Sequence, residues 1–189
     1  TNMPNIKLRD VQVASIGADT TVLRSRTWER LKFEVEYSLQ QGTTANSYLI
    51  QAEKIAVFDP PGESFTEIFL HELQQQLDLR ELNYVILGHV NPNRCVTLKA
   101  LLQLAPQIIF VCAKPGAIAL RTAFPERELN ISIAKTEEGF GLGKGHQLQF
   151  IPVPTSRWPD ELYTYDQATG ILFTDKLFGA HVCGEQVFD

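Results

Sequence analysis

The stretch Tyr84-Val85-Ile86-Leu87-Gly88-His89-Val90-Asn91-Pro92-Asn93-Arg94 decides how this chain is read. Tyr84 to Leu87 is an unbroken apolar and aromatic run, the mark of a strand covered on both faces. His89 follows at the strand's carboxyl end, where ligands gather in α/β folds. Beyond it the loop offers Asn91, Asn93 and Arg94, which are amide and guanidinium groups rather than imidazole or carboxylate.

Working outward from this strand, alternation and β-branched content predict strands near Val11 to Ala14, Thr21 to Leu23 and Phe33 to Tyr37. A pair follows at Ser47 to Gln51 and Ile55 to Phe58. After Pro60-Pro61-Gly62, Ser64 and Glu67 form an S-x-x-E capping box, and Phe65, Ile68, Phe69, Leu73 and Leu77 fall at helical spacing. Downstream, Thr97 to Leu104 reads as a second helix ended by Pro106, and Ile108 to Cys112 as another buried strand. A short helix from about Gly116 to Ala123 comes next. Strands around Ile131, Leu148 to Val153, Leu162 to Tyr165 and Ile171 to Phe173 complete the pattern, with Gln167-Ala168-Thr169-Gly170 as a hairpin turn. Hairpins mixed with crossing helices indicate an α/β class with helices outside stacked sheets. The pattern alone does not exclude another α/β fold.

A chain of 189 residues, 44% hydrophobic, is long enough for one domain with a substantial core. A net charge of -5 with no Lys/Arg block gives no footprint for nucleic acid or an anionic membrane. No apolar run approaches the roughly 20 residues needed to span a bilayer, and Thr1 to Asp10 has no hydrophobic signal core. The expectation is a soluble, cytoplasmic protein. Its three cysteines, Cys95, Cys112 and Cys183, make no C-x-x-C pair, so a disulfide framework or thiolate zinc site is not expected.

Three stretches carry a family resemblance. His89-Val90-Asn91-Pro92-Asn93-Arg94 is similar in spacing to the H-x-E-x-D-H ligand loop of the flavodiiron branch of the metallo-β-lactamase superfamily. Thr155-Ser156-Arg157-Trp158-Pro159-Asp160 resembles that branch's H-W-P-D turn, with Arg157 at the ligand histidine. Leu172-Phe173-Thr174-Asp175-Lys176-Leu177-Phe178-Gly179-Ala180-His181 resembles the segment supplying a bridging aspartate, here Asp175. The opening Gly42-Thr43-Thr44-Ala45-Asn46-Ser47-Tyr48-Leu49-Ile50 and Phe58-Asp59-Pro60 resemble the family's first hairpin. Together with the arginine-for-histidine changes, these point to the cyanobacterial diflavin flavodiiron proteins that lack the usual iron ligands.

The resemblance implies an αββα sandwich over residues 1–189, incomplete toward its C-terminal end, with the parent's flavodoxin-like and flavin reductase domains outside this chain. It places His89, Asn91, Asn93, Arg94, Arg157 and Asp175 at the metal-site positions, with His181 and Asp59 as supporting residues. Iron in oxygen chemistry is held by imidazole and carboxylate. Neutral amides are poor substitutes, and a guanidinium only donates and stays charged. The expectation is a pocket in which two arginines stand where two cations stood, Asp175 accepting a bidentate hydrogen bond from one of them. His71 reads as a solvated helix residue, His146 as a turn residue, and Cys95 as a small packed side chain. Trp158 and Pro159 read as shaping the turn that presents Arg157. Gly139, Gly141 and Gly143 only loosely mimic a nucleotide-binding run.

For function, the resemblance implies a parent that passes electrons from NAD(P)H or ferredoxin through FAD and FMN to oxygen, reducing it to water in photoprotection. No flavin site is expected in this chain. Diiron is expected to be absent here, and the domain is expected to work in a homo- or hetero-oligomer with an iron-bearing paralogue. The alternatives are a mononuclear metal enzyme of the zinc-hydrolase kind, using His89 and Asp175, or an anion-binding regulatory module.

Overall fold

Turn chemistry sets the first half of the larger sheet. Asp19, at φ 57°, tolerates the left-handed conformation in the turn between β1 (Arg9–Gly17) and β2 (Thr20–Thr27). β2 pairs antiparallel with β3 (Thr43–Gln51), and β3 with β4 (Ile55–Phe58). From there the neighbours are parallel: β5 (Tyr84–Ile86), β6 (Ile109–Cys112) and β7 (Ile131–Ile133). Each parallel step needs a crossover, supplied by α1 (Thr66–Gln76), α2 (Pro92–Leu104) and α3 (Lys114–Ala123). Strands β4 to β7 add in one direction and such crossovers share one hand, so all three helices fall on one face.

The computed structural model describes residues 9–27, 43–175 and 180–182. The strand expected at Phe33 to Tyr37 lies outside the described residues. A second sheet is an antiparallel meander of β8 (Phe140–Gly143), β9 (His146–Pro152), β10 (Leu162–Asp166), β11 (Ile171–Phe173) and β12 (Ala180–Val182).

Two apolar layers hold these elements together. Phe69 and Leu73 of α1, Leu98 and Leu101 of α2 and Leu120 of α3 pack on Leu49, Val57, Val85 and Phe110 from one face of the first sheet. The opposite face, with Tyr48, Ile50, Phe58, Ile86 and Val111, packs on Leu148, Phe150, Leu162, Ile171 and Phe173 of the second sheet. Phe173 stacks on Phe58 with ring centroids 4.3 Å apart and meets Tyr48 edge-on at 5.2 Å. The layers run helix, sheet, sheet, a mixed α/β architecture that gives three of the four layers of the expected αββα sandwich. Among the described residues no helix covers the outer face of the second sheet.

Several local expectations are corrected. Ser64 does not cap α1: Glu63–Phe65 forms a 3-10 turn, and the helix begins at Thr66 with Phe65 as a cap that makes no side-chain hydrogen bond. α2 starts at Pro92, five residues earlier than expected, because Asn91 is its N-cap. Where no strand was expected, Phe140–Gly143 is an edge strand, and Gly143 takes φ 89° to turn into β9. His146 is not a turn residue but the 1% exposed first residue of β9.

Candidate functional site

The site grows from the carboxyl ends of β4 and β5, which lie side by side. Asp59, directly after β4, takes φ 51°, a left-handed conformation that aspartate accepts. Its N–H donates to Ile86 O at 3.0 Å and its carbonyl accepts from Ser47 Oγ at 2.7 Å. That clamp leaves the carboxylate directed at the end of β5, where Oδ1 accepts from Gly88 N at 2.7 Å. Burial, and then the neighbouring Asp175 charge, push the Asp59 carboxyl up to about 7, although Arg94 and the Gly88 N–H pull the other way.

Gly88 lies directly against the second sheet at this end. A Cβ there would lie 2.7 Å from Asp175 Cβ and 3.0 Å from Leu162 O. With hydrogen in its place, Gly88 O accepts from Leu162 N at 2.9 Å, joining the end of β5 to the start of β10.

Arg94 sits in the first turn of α2, which Asn91 caps by accepting from Arg94 N at 2.8 Å. Pro92 follows at the first helical position, where its missing N–H costs nothing. The guanidinium makes a fork with Asp175, Nη1 to Oδ2 and Nη2 to Oδ1, each at 2.8 Å. Two further donors reach backbone: Nε to Pro60 O at 2.7 Å and Nη1 to His89 O at 2.6 Å. Nη1 is also 3.7 Å from Asp59 Oδ1. Burial alone would lower the arginine's pKa, but Asp175 and Asp59 outweigh it and raise it above the ordinary value. Side-chain exposures of 11% for Arg94 and 14% for Asp175 put this pair well inside the protein.

The His89 ring is held apart from that pair. Its Nδ1 is 2.7 Å from Asp160 Oδ1, and its ring stacks on Trp158 at 4.6 Å with 11° between planes. Asp160 also accepts from Val90 N through Oδ2 at 2.8 Å. Asn93, exposed, accepts from Glu63 N at 3.1 Å. Asn91 and Asn93 therefore both act on backbone N–H groups. Arg157 departs from the expected second buried guanidinium: it is exposed, and its Cζ lies 5.9 Å from the Trp158 ring centroid. The turn it occupies is closed by Thr155, whose N–H donates to Trp158 O and whose hydroxyl accepts from Trp158 N, and this aims the residue outward. For His181 the structure describes only the backbone, paired with Leu172.

The site thus joins Asp59, Gly88, Arg94 and Asp175 in one cluster and His89, Asp160 and Trp158 in a second. Asp160 was not singled out from sequence, although its carboxylate within the Trp158-Pro159-Asp160 turn was the available signal. Among the described residues, no three His, Cys, Asp or Glu side chains are placed so that they could hold a metal ion. The two described cysteines are packed thiols: burial raises Cys95, and burial with the nearby Asp160 charge pushes Cys112 up to about 12. What the arrangement does chemically is neutralise buried carboxylate with a fixed cation, four of whose five N–H donors are bonded.

Comparison with known proteins places this architecture. The family model described as ODP family beta lactamase matches residues 43–188. Diflavin flavoprotein A 6 of Nostoc sp. PCC 7120 is 64% identical over 187 residues, covering 99% of this chain and 33% of that protein. The chain spans about a third of the length of the curated relatives it matches. The crystal structure of fragment 1–254 of diflavin flavoprotein A 5 from Nostoc superposes with a TM-score of 0.85 at 58% identity, covering 97% of this chain and 73% of that one. The metal-soaked Flv1 flavodiiron core from Synechocystis sp. PCC 6803 gives a TM-score of 0.84 at 60% identity, covering 97% of this chain and 46% of that one. The chain therefore belongs to the ODP beta-lactamase family, in its cyanobacterial diflavin flavodiiron branch.

Proposed function

We propose that this chain is a scaffolding or regulatory domain of a diflavin flavodiiron oxidoreductase, with an internal salt bridge where relatives hold two irons. The observation that carries this reading is the Arg94 fork on Asp175. The residues present do not fit a diiron group. Asn91 and Asn93 lack charge and are committed to N–H groups of α2 and the 3-10 turn. His89, with Nδ1 on Asp160, keeps Nε2 for one metal bond, but it is the single imidazole at these positions and two irons need several. Asp175, a carboxylate suited to iron, already accepts two N–H bonds from a cation that would repel a metal.

In the parent, flavodoxin-like and flavin reductase domains outside this chain carry FMN and FAD, and electrons from NAD(P)H or ferredoxin pass through them toward oxygen. Oxygen is reduced to water, as photoprotection, at the iron of a paralogous subunit in a hetero-oligomer. An anion-binding role draws less support, because four of the five Arg94 donors are taken up by Asp175, Pro60 O and His89 O.

The test is metal content and NAD(P)H-driven oxygen consumption of the full-length parent, alone and mixed with an iron-bearing paralogue. The expected result is substoichiometric iron and no iron-dependent turnover alone, with turnover in the mixture. Stoichiometric iron supporting oxygen reduction by the isolated subunit would overturn the proposal.

A further inference from the structure

Three titratable side chains that the proposed function does not use converge at the far end of the sandwich. β10 begins at Leu162, bonded to Gly88 beside the candidate site, and ends at Asp166, about 13 Å further along the strand. There His146, 1% exposed, places Nδ1 2.6 Å from Asp166 Oδ2 and Nε2 2.8 Å from Asp19 Oδ2. Asp19 belongs to the β1–β2 turn of the first sheet, and Asp166 to the second sheet. One imidazole therefore bridges the two layers.

A neutral imidazole has one N–H and one acceptor nitrogen, whereas an ionised carboxylate only accepts. With a carboxylate oxygen at each nitrogen, a neutral ring would oppose lone pairs at one of them. A protonated aspartate is a poor remedy. Asp166 already accepts from Ala168 N through Oδ1 at 3.0 Å and from the Thr169 hydroxyl through Oδ2 at 3.1 Å. Asp19 has Lys144 Nζ 3.8 Å from Oδ1. Both carboxylates are thus set up as charged acceptors.

We propose that His146 is an imidazolium clasp between the two sheets, a pH-sensitive latch that ties the β1–β2 turn to the end of β10 and loosens when the ring loses its second proton. The groups around it are Asp19, Asp166 and Lys144 of the β8–β9 turn, which faces Asp19; Glu53 of the β3–β4 turn lies against Gly143 at the same end. Burial opposes the charged ring, but hydrogen bonds to Asp19 and Asp166 and their charges outweigh it and hold the histidine above its ordinary range. A histidine raised in this way contributes stability that is fully present below the unfolded value and lost as pH rises through the folded one.

The test uses the full-length protein and two hydrogen-exchange measurements between about pH 5 and about pH 9. Exchange at the imidazole carbon, read by mass spectrometry, gives the His146 titration midpoint; it is expected above the ordinary histidine range. Backbone exchange in the turns holding Asp19 and Ala168, corrected for intrinsic rate, is expected to show an opening constant that rises by up to about tenfold per pH unit above that range. H146Q should lack this rise, and D19N, which keeps a side chain suited to positive φ, should shift it to lower pH. A midpoint at or below the ordinary value, or the same pH profile in wild type and both variants, would overturn the clasp. If H146Q does not fold, the wild-type titration and the D19N profile decide.

Discussion

Arg94 and Arg157 have the same side chain and opposite fates, and the difference lies in what surrounds each guanidinium. Arg94 is enclosed by Asp175, Asp59 and two carbonyls, so its removal leaves buried carboxylate without a counter-charge. Arg94→Ala should cost about 3–5 kcal/mol, the range for breaking a buried pair from one side. Arg94→Lys should recover only part of that, since an ammonium cannot make the fork. Arg157→Ala, at an exposed position, should stay within about 0.5 kcal/mol. Denaturant unfolding of the three variants checks this ordering, and equal losses for Arg94→Ala and Arg157→Ala would refute it. Sequence alone did not separate the two, because a guanidinium in a ligand-like position says nothing about the loop that aims it. His146 was misread for a related reason: its neighbours Lys144 and Gly145 announce a turn, while its partners Asp19 and Asp166 are remote in sequence.

At the scale of elements, short unbroken apolar runs were the most legible. Ile55–Phe58 and Ile171–Phe173 fall where the pattern puts them, because both are bounded by strong turn residues. β8 was missed since three of the residues from Gly139 to Gly143 are glycines, which carry no β signal and pair here only because β9 lies alongside. The first turn of α2 was missed although Asn91-Pro92 is a regular start signal, because the family resemblance puts Asn91 at a ligand position. The cap offers a test. Asn91→Ala should cost about 1 kcal/mol, with Asn91→Asp keeping the bond to Arg94 N, as read by thermal unfolding. If Ala and Asp behave alike, the cap is not what orders that turn. The junction of β5 with β10 is less forgiving. In Gly88→Ala the new methyl would meet Leu162 O at 3.0 Å, a backbone atom that cannot rotate away, besides Asp175 Cβ at 2.7 Å. A loss of about 1–3 kcal/mol is expected, and an unchanged unfolding midpoint would show that the sheets approach less closely than described.

At the scale of the whole molecule, the second sheet is held to the first by an apolar layer and by an ion pair that meet at one strand end. Phe173, 2% exposed, fills the space between Phe58 and Tyr48, and Asp175 follows two residues later to receive Arg94. Two contacts so close on one strand share the backbone that positions them, so each should lose part of its value when the other is removed. Phe173→Leu alone should cost about 1 kcal/mol or more, through lost ring contacts and the space left behind. Combined with Arg94→Ala, the loss should fall short of the summed single losses by more than about 0.5 kcal/mol, because a strand end already released has less to lose. His146→Gln lies at the other end of the same sheet and shares no partner with Arg94, so that pair should be additive within about 0.5 kcal/mol. Double-mutant cycles on both pairs distinguish a sandwich fastened independently at its two ends from a rigid block. Additivity of Phe173→Leu with Arg94→Ala would mean that the ion pair rests on the scaffold of α2 and β5 and owes nothing to the core packing beneath it.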